Sequence, residues 1–411
     1  MAAVDPATIV RLAERHGAPY YLYDASVMLE RLASLSAFDI VRYAQKACGN
    51  VHILRILREA GAGVDAVSLG EIERAVRAGF SGEGEPAGLV YTADLIDDPT
   101  LDRVIELDVP VNAGSADVLE QLGRRHSGHR VWIRVNPGFG HGHSRKTNTG
   151  GEWSKHGIWH EYLDEALRHI EKYHLNLVGL HMHIGSGSNF EHLRQVCDAM
   201  VDQVRALGVD VRAISGGGGL PIPYRPGDAI FDTSALHRHW DDARRRVEEF
   251  VGHDVSLEIE PGRYLAGEAG LLVAEVRAVK RTGANRFLIV NAGFNDLARP
   301  AMYGAFHTLS VVRRDGSLAT GSTEPTVVGG PLCESGDVFT QEDGGVVVPR
   351  DLPEAEVGDF VVIHDAGAYA SAMASNYNTR SLAPEILLEG GRTRLIRRRQ
   401  RIEELLDLEE V

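Results

Sequence analysis

The sequence predicts an α/β protein with an N-terminal (β/α)₈ TIM-like barrel and a C-terminal, mainly antiparallel β domain. Short runs rich in Val, Ile and Leu alternate with longer amphipathic segments over about 230 residues, the size and repeat of such a barrel. After about residue 268 the chain changes to short β-rich runs separated by turns. We therefore expect a barrel over residues 26–268 and a β domain over 269–411, with residues 1–25 belonging to either domain. A doubly wound open sheet is the alternative, because periodicity alone does not show whether a sheet closes.

Each element of this prediction comes from an apolar pattern. The eight barrel strands are predicted at Asp39–Ala44, Gly63–Ser68, Gly88–Thr92, Val109–Ala113, Arg130–Asn136, Leu177–Ile184, Val211–Ser215 and Val255–Ile259. Helices are predicted between them at Glu71–Ala78, Ala116–Arg125, Tyr162–Lys172, Glu191–Leu207 and Thr233–Phe250. In the first of these helices Ile72, Ala75 and Val76 fall on one face. The β domain is predicted from Leu271–Lys280, Phe287–Asn291, Pro325–Val328, Gly345–Val348, Asp359–His364 and Arg394–Ile396.

Composition and charge exclude several classes of protein. The 411 residues are 44% hydrophobic and 25% charged, which is ordinary for a globular enzyme. A formal net charge of −15 argues against nucleic acid or an anionic membrane as partner. No run reaches the roughly 20 apolar residues of a membrane helix, and the N-terminus lacks the apolar stretch of a signal peptide. Three scattered cysteines do not make a disulfide framework. We therefore expect a cytoplasmic protein.

Reactive side chains follow the predicted strands, at the end where barrel active sites lie. Lys46 follows the first strand and is flanked by Ala44 and Ala47. A partly desolvated lysine loses its proton more easily and can form a Schiff base. An ordinary solvated loop lysine is the alternative for this feature taken alone.

The sixth strand carries His181 and His183, with Ser186 in the glycine-rich turn that follows. Residues at i and i+2 share a face, so both imidazoles are expected to point the same way. The pair is compatible with a metal site, which would also need ligands on neighbouring strand ends. Three histidines of the loop after the fifth strand leave this open: His141, His143 and His156. Ser186 is more typical of a phosphate contact.

Glycine-rich turns follow the seventh and eighth strands. Four consecutive glycines, Gly216–Gly219, expose backbone N–H groups that can approach an anion, and phosphate sites in barrels are often built at this place. The eighth strand carries Glu258 and Glu260 on one face and continues into Gly262. The lysine, the histidine, the glycine turns and the glutamate together are suited to pyridoxal 5′-phosphate (PLP). The lysine can hold the aldehyde, the glycines the phosphate, and the glutamate can keep the pyridine nitrogen protonated.

These residues lie in blocks that resemble the fold-type III PLP-dependent decarboxylases, and most closely the diaminopimelate decarboxylases in their enterobacterial-like form. The blocks run through nearly the whole chain and include RYAQKACGNVHILRILREAG, GLHMHIGSGS, GGGGLPIPY, EIEPGRYL, FNDLARPAMYGAFH, GPLCESGDVF and GAYASAMASNYNTR. The resemblance implies the barrel and β domain, and a homodimer whose two active sites lie at the interface.

The resemblance also implies a role for each site residue. Lys46 would carry the cofactor, His183 would stack on its ring and Glu260 would face the pyridine nitrogen. The further cofactor contacts it implies are Ser186, Gly217, Gly218, Gly219, Gly262, Arg263 and Tyr369. The substrate contacts it implies are Arg263, Arg299, Tyr303 and Glu334. Cys333, the implied proton donor, would reach the partner subunit's active site together with Glu334. No metal ligand is expected, and His181 is expected to be a strand histidine satisfied by hydrogen bonds.

The implied reaction is decarboxylation of meso-2,6-diaminopimelate to L-lysine and CO₂, the last step of lysine biosynthesis. The alternative is a related decarboxylase of D-lysine or D-ornithine, against which Arg299 and Tyr303 argue because such substrates have no distal carboxylate. A metal-dependent barrel hydrolase would carry its His-x-His pair on an early strand rather than the sixth. A PLP-binding regulatory homologue would be expected to lack Cys333, Glu334 and Tyr369, which are all present.

Overall fold

The computed structural model of the chain describes residues 4–140, 149–183 and 190–409. The chain forms two compact units. The barrel unit consists of Leu29–Pro221 and Ile230–Tyr264, and the β unit consists of Met1–Met28, Ile222–Ala229 and Leu265–Val411. This division reflects which residues pack together, whereas the predicted limits reflect where the apolar pattern of the sequence changes. The two differ most at Ile222–Ala229, a segment from inside the predicted barrel range that packs with the β unit.

Eight parallel strands of the barrel unit close into a barrel. In chain order they are Ile40–Ala44, Gly63–Ala66, Leu89–Ala93, Val111–Ala113, Arg130–Asn136, Asn176–His181, Ala213–Ser215 and Ser256–Ile259. The eighth strand pairs with the first, with Ile259 opposite Val41, so no edge is left open. The predicted closed barrel is therefore confirmed, and the open sheet is excluded.

Helices follow the strands, and several begin at a capping side chain. Those of the barrel unit are Val51–Glu59, Leu69–Ala78, Asp98–Glu106, Ala116–Arg125, Leu163–Lys172, Phe190–Leu207 and Thr233–Val251. Two further helices, Ala25–Ala33 and Arg263–Ala266, cross the division between the units. Ser68 Oγ accepts a hydrogen bond from the Glu71 N–H at 3.2 Å, and Gly79 ends the same helix in a left-handed conformation. These caps place Glu71 in the first turn, next to the mouth of the barrel.

The β unit is built on a nine-stranded sheet in which most neighbours are antiparallel. Its strands are Tyr20–Asp24, Gly270–Thr282, Asn285–Val290, Leu309–Val312, Thr323–Gly329, Arg350–Pro353, Phe360–Ile363, Glu385–Glu389 and Arg392–Arg397. Its helices are Pro6–His16, Arg299–Tyr303 and Glu403–Leu406, and a small ribbon pairs Gln341–Glu342 with Val346–Val347. The predicted mainly antiparallel domain is confirmed.

The N-terminal segment supplies part of this unit's core. Tyr20–Asp24 is buried along its whole length and lies between Gly270–Thr282 and Glu385–Glu389. The amphipathic helix Pro6–His16 packs its apolar face on this sheet, and Tyr20 Oη donates to the Ile9 carbonyl at 2.8 Å. Residues before the barrel therefore belong with the β unit. Among the helices of the described residues, none is long and apolar enough to cross a membrane.

Candidate active site

Lys46 lies on a 3₁₀ turn, Gln45–Ala47, directly after the first barrel strand. Its neighbours Gln45 and Ala47 are buried, whereas Lys46 is exposed. The partial desolvation expected from the sequence is therefore not seen, and the amine is open to a ligand that enters the mouth. Its charge acts on Glu260 and His183, which belong to the same rim, the set of residues at and just past the carboxyl ends of the barrel strands.

Glu260 follows the eighth strand and is 8% exposed. His181 Nε2 donates a hydrogen bond to Glu260 Oε2 at 2.8 Å. Burial by itself would raise the pKa of Glu260, but the charge and hydrogen bond of His181 and the charges of Arg134 and Lys46 hold the pKa below its usual value. The rim therefore contains a buried, ionised carboxylate. His181 is a hydrogen-bonded strand histidine, but its buried Nδ1 has no hydrogen-bond partner among the described residues, so the expected satisfaction by hydrogen bonds is only partly seen.

His183, two residues after His181, faces the glycine turn. The Gly218 N–H donates to His183 Nδ1 at 2.8 Å, so Nδ1 holds a lone pair and the ring proton lies on Nε2. Burial lowers the pKa of His183 well below its usual value, and the positive charges of Lys46 and Arg134 lower it further. His183 is therefore a neutral imidazole, which is suited to stacking on an aromatic ring.

The turn after the seventh strand has no room for side chains. Gly217 has φ +62°, and a Cβ atom there would lie 2.7 Å from the Met182 carbonyl oxygen. At Gly218 a Cβ would lie 2.3 Å from the Glu260 carbonyl oxygen, and Gly219 has φ +92°. Glycine is favoured at all three positions, so the turn presents backbone instead of side chains. The Gly217 N–H donates to Ser215 Oγ at 3.2 Å and the Gly218 N–H to His183 Nδ1, so both are held by neighbouring side chains.

The segment after the eighth strand continues this rim. A Cβ at Gly262 would lie 3.0 Å from the Ala44 carbonyl oxygen, so the backbone passes close to the first strand. Arg263 begins the short helix Arg263–Ala266 and is partly exposed. Three residues named from the sequence lie outside the described residues: Ser186, His141 and His143.

The rim fits PLP in the chemistry of its groups. It offers an exposed amine for the aldehyde, a neutral imidazole for the ring and a side-chain-free turn for the phosphate. The ionised carboxylate of Glu260 suits a protonated pyridine nitrogen. These groups come from the first, sixth, seventh and eighth strands, which barrel closure brings to one end.

Asp65 is a buried group of the rim that the sequence analysis missed. It lies on the second strand and is 3% exposed. Burial raises its pKa well above the usual value, the negative charge of Glu260 adds to this, and the charge of Lys46 opposes it. The presence of a carboxyl group inside the otherwise apolar run Gly63–Ser68 was the feature of the sequence that could have identified Asp65.

A second missed group lies around Arg134 on the fifth strand. Arg134 is 9% exposed, and burial lowers its pKa, although the charges of Asp94, Glu260 and Asp65 oppose the shift. His156 Nδ1 makes a short hydrogen bond to Asp94 Oδ2. Burial would raise the pKa of Asp94, but the bond and charge of His156 hold it below its usual value. His156, considered from the sequence as a metal ligand, is thus paired with a carboxylate.

Within the part of the chain that the structure describes, the His-x-His pair is not arranged as a metal centre. His181 binds Glu260, and His183 binds the glycine turn. Across residues 4–140, 149–183 and 190–409, no group of three or more His, Cys, Asp or Glu side chains is arranged to hold a metal ion.

Arg299, in the β unit, is a buried cation that is held by contacts with His307 and Tyr224. It begins the helix Arg299–Tyr303 and is 6% exposed. Its Nη1 lies 3.0 Å from His307 Nε2, and its guanidinium carbon lies 4.7 Å from the centre of the Tyr224 ring. Tyr303 ends the helix and is partly exposed.

Cys333 and Glu334 lie on an exposed loop of the β unit. The Cys333 N–H donates to Asn378 Oδ1 at 3.0 Å, and Tyr377 Oη donates to Glu334 Oε1 at 2.5 Å. The other two cysteines of the chain are buried. The loop therefore presents an accessible thiol, on a residue whose backbone is bonded to Asn378, next to an exposed glutamate whose carboxylate accepts from Tyr377.

Tyr369 has φ +58°, a left-handed conformation that is uncommon for residues other than glycine. Its side chain is partly exposed. Unfavourable backbone conformations of this kind cluster at ligand sites, because the surrounding structure must hold them in place. The position is consistent with a ligand contact.

The chain is similar to known proteins over nearly its whole length. The family described as "Pyridoxal-dependent decarboxylase, pyridoxal binding domain" matches residues 26–267. Diaminopimelate decarboxylase of Escherichia coli K12 is 57% identical over 402 residues, covering 98% of this chain and 96% of that protein. A crystal structure of diaminopimelate decarboxylase superposes with a TM-score of 0.95 at 57% identity and covers 97% of this chain and 95% of the other.

A more distant structure agrees with this similarity. Diaminopimelate decarboxylase from Helicobacter pylori, complexed with L-lysine, is 30% identical and has a TM-score of 0.84, with 97% of this chain and 98% of that chain covered. Together with the barrel, the β unit and the rim of lysine, imidazole, carboxylate and glycine turn, these similarities show that the chain belongs to the diaminopimelate decarboxylase family of PLP-dependent decarboxylases.

Proposed function

We propose that the chain is a PLP-dependent carboxy-lyase that converts meso-2,6-diaminopimelate to L-lysine and CO₂, the last step of lysine biosynthesis. The observation that carries the proposal is the barrel rim, where Lys46, His183, Glu260 and the Gly217–Gly219 turn meet, in a chain 57% identical to the Escherichia coli diaminopimelate decarboxylase. The reaction consumes one proton, because the D-centre of the substrate loses CO₂ and gains a hydrogen.

The barrel rim would hold the cofactor. Lys46 would bind its aldehyde, His183 would lie against its ring, and Glu260 would face its pyridine nitrogen. The phosphate would bind Ser186 and the backbone of Gly217, Gly218, Gly219, Gly262 and Arg263, with Tyr369 as a further contact. When bound, PLP supplies an electron sink for the electron pair left by departing CO₂.

Glu260 sets the electrostatics of the site. Its carboxylate is kept ionised by His181, Arg134 and Lys46, so a proton on a ring nitrogen beside it is stabilised. His181 also fixes the orientation of the carboxylate through the 2.8 Å hydrogen bond. His183, neutral through its bond from Gly218, adds no positive charge of its own to the ring face.

The β-unit residues would bind the far end of the substrate, which is an amino acid in its own right. Arg299 and Arg263 would meet its carboxylate, Glu334 its ammonium group, and Tyr303 would line the same region. Cys333 of the partner subunit would deliver the proton from Sγ to the substrate α-carbon. The accessible thiol on the Cys333 loop supports this role.

The decisive experiment is to incubate the PLP-loaded protein with meso-diaminopimelate, and separately with D-lysine and D-ornithine, and to identify the products by mass and chirality. We expect L-lysine and CO₂ from the first substrate and at most slow turnover of the others. A substrate without a distal carboxylate leaves a buried arginine desolvated and unpaired, at a cost of roughly 1.5–3 kcal/mol for each lost charge-assisted bond. Equal turnover of D-lysine would favour the mono-carboxylate alternative.

The homodimer with shared active sites and the cytoplasmic location expected from the sequence belong to the same proposal. Lys46→Ala and Cys333→Ala subunits should each be inactive alone. After dissociation and random reassembly, about half of the dimers would be mixed, each with one intact site, and about a quarter of wild-type activity should return. No recovery after verified subunit exchange would mean that each site is built within one chain.

A further inference from the structure

His307 is fully enclosed beside Arg299. It is 4% exposed, with Nε2 3.0 Å from Arg299 Nη1 and Nδ1 2.8 Å from the His364 carbonyl oxygen. A guanidinium only donates hydrogen bonds and a carbonyl oxygen only accepts them. The ring must therefore carry its proton on Nδ1 and a lone pair on Nε2. In this tautomer it connects the arginine to the backbone of the strand end at residue 364.

Tyr224 closes the other side of the same group. Its ring lies under the Arg299 guanidinium at 4.7 Å and meets the His307 ring edge-on, with centroids 5.5 Å apart and planes at 74°. The three side chains form one block in which the guanidinium rests on an aromatic face and is bonded at its edge by the imidazole. All three belong to the β unit.

We infer that His307 is a positioning residue for Arg299: it holds the guanidinium in the orientation that binds the distal carboxylate of the substrate. The inference rests on the proposed function and deepens it. An unheld arginine side chain samples many rotamers and must be immobilised when the ligand arrives, which weakens binding. With one N–H anchored on His307 and the flat face on Tyr224, that ordering is done before the substrate enters.

The inference makes a claim that a packing role for His307 does not make. If the imidazole only fills space, its loss should weaken all ligands of the site alike, or none. If it orients Arg299, its loss should weaken only ligands that carry a distal carboxylate. L-lysine and 1,5-diaminopentane are a matched pair for this comparison, because they differ by that carboxylate alone.

The test uses His307→Phe and His307→Gln in the PLP-loaded enzyme. Phenylalanine keeps a ring against Tyr224 but removes both nitrogens, whereas the glutamine amide oxygen can accept from Arg299 in place of Nε2. For His307→Phe we expect the inhibition constant of L-lysine to rise about 5- to 50-fold, with a matching rise in KM for meso-diaminopimelate. The inhibition constant of 1,5-diaminopentane and kcat should change much less. His307→Gln should recover most of the L-lysine affinity.

Equal weakening of the two inhibitors, or an unchanged L-lysine constant in His307→Phe, would overturn the inference. If His307→Phe does not fold, His307→Leu, which removes the acceptor for Arg299, combined with Arg299→Lys decides. Effects on L-lysine binding that simply add would mean that the two residues act independently. Failure of the proposed function is separately visible, because the wild-type enzyme would then neither decarboxylate meso-diaminopimelate nor prefer L-lysine over 1,5-diaminopentane.

Discussion

Replacing Gly218 by alanine should damage the proposed phosphate cradle in a way that the geometry quantifies. The new Cβ would lie 2.3 Å from the Glu260 carbonyl oxygen and 3.3 Å from His183 Cε1. The turn and the strand end must therefore move apart by roughly 1 Å to reach ordinary van der Waals contact. Neither neighbour is a flexible side-chain end that could simply swing away, because one is backbone and the other is bonded to the Gly218 N–H itself.

Two costs follow from that movement. Overpacking of a well-packed region costs about 1–3 kcal/mol of folding stability. The movement would also displace the Gly219 N–H, and the loss of one hydrogen bond from a backbone N–H to a charged phosphate, worth about 1.5–3 kcal/mol, corresponds to a roughly 10- to 150-fold weaker PLP affinity. We therefore expect a lower melting temperature of the apoprotein and a large loss of cofactor affinity, with kcat at saturating PLP reduced as well.

The assay is titration of the apoprotein with PLP, followed by the visible absorbance of the bound cofactor, together with thermal melts. Gly70→Ala is the matched control. Gly70 is exposed in the helix Leu69–Ala78, and a Cβ there meets only Ser68 Oγ, at 3.9 Å, so alanine should be neutral or stabilise the helix by about 0.5–1 kcal/mol. Were Gly218→Ala to bind PLP as tightly as Gly70→Ala, the turn could not be the phosphate site described above.

Three further outcomes are expected. Borohydride reduction of the PLP-loaded enzyme should fix a pyridoxyl group on the peptide containing Lys46, and its appearance on another peptide would contradict the site. Arg42→Met should lower the free energy of unfolding by about 3–5 kcal/mol, because Arg42 and Glu258 form an ion pair whose side chains are 2% and 4% exposed, and the change leaves the Glu258 carboxylate buried without its partner. In urea titrations, replacing both residues by methionine should recover most of the loss. Asp296→Asn should stabilise the protein more at pH 8 than at pH 4, because burial raises the pKa of Asp296 to about 6. The folded state thus favours the protonated carboxyl, and its stability falls as the pH rises from the pKa that Asp296 has in the unfolded chain towards 6. Equal gains in melting temperature at both pH values would refute this.

The sequence alone determined the elements that depend on local patterns. The eight barrel strands lie within a few residues of the predicted positions, because a buried parallel strand is an apolar run that needs no distant partner to be recognised. The helix Leu69–Ala78 likewise follows from its apolar spacing and from capping by Ser68 and Gly79. Lys46, His183 and Glu260 were proposed as site residues for the same reason, since each lies near the end of such a run.

Only the tertiary structure decided which charged groups meet. The partner of Glu260 is His181, 79 residues away, and the partner of Asp94 is His156, 62 residues away. Asp65 and Arg134 are ordinary charged residues in sequence, and only barrel closure places them in a low-dielectric rim where their pKa values shift.

In the β unit, too, the sequence determines the type of element and the tertiary structure determines its neighbours. The strand character of Tyr20–Asp24 is visible in sequence, but its position between Gly270–Thr282 and Glu385–Glu389 is not. The setting of Arg299 also depends on Tyr224, from a segment that leaves the barrel range, and on His307. Local periodicity specifies which face of an element is apolar, whereas strand order, register and the pairing of buried charges are set by contacts between residues far apart in the chain.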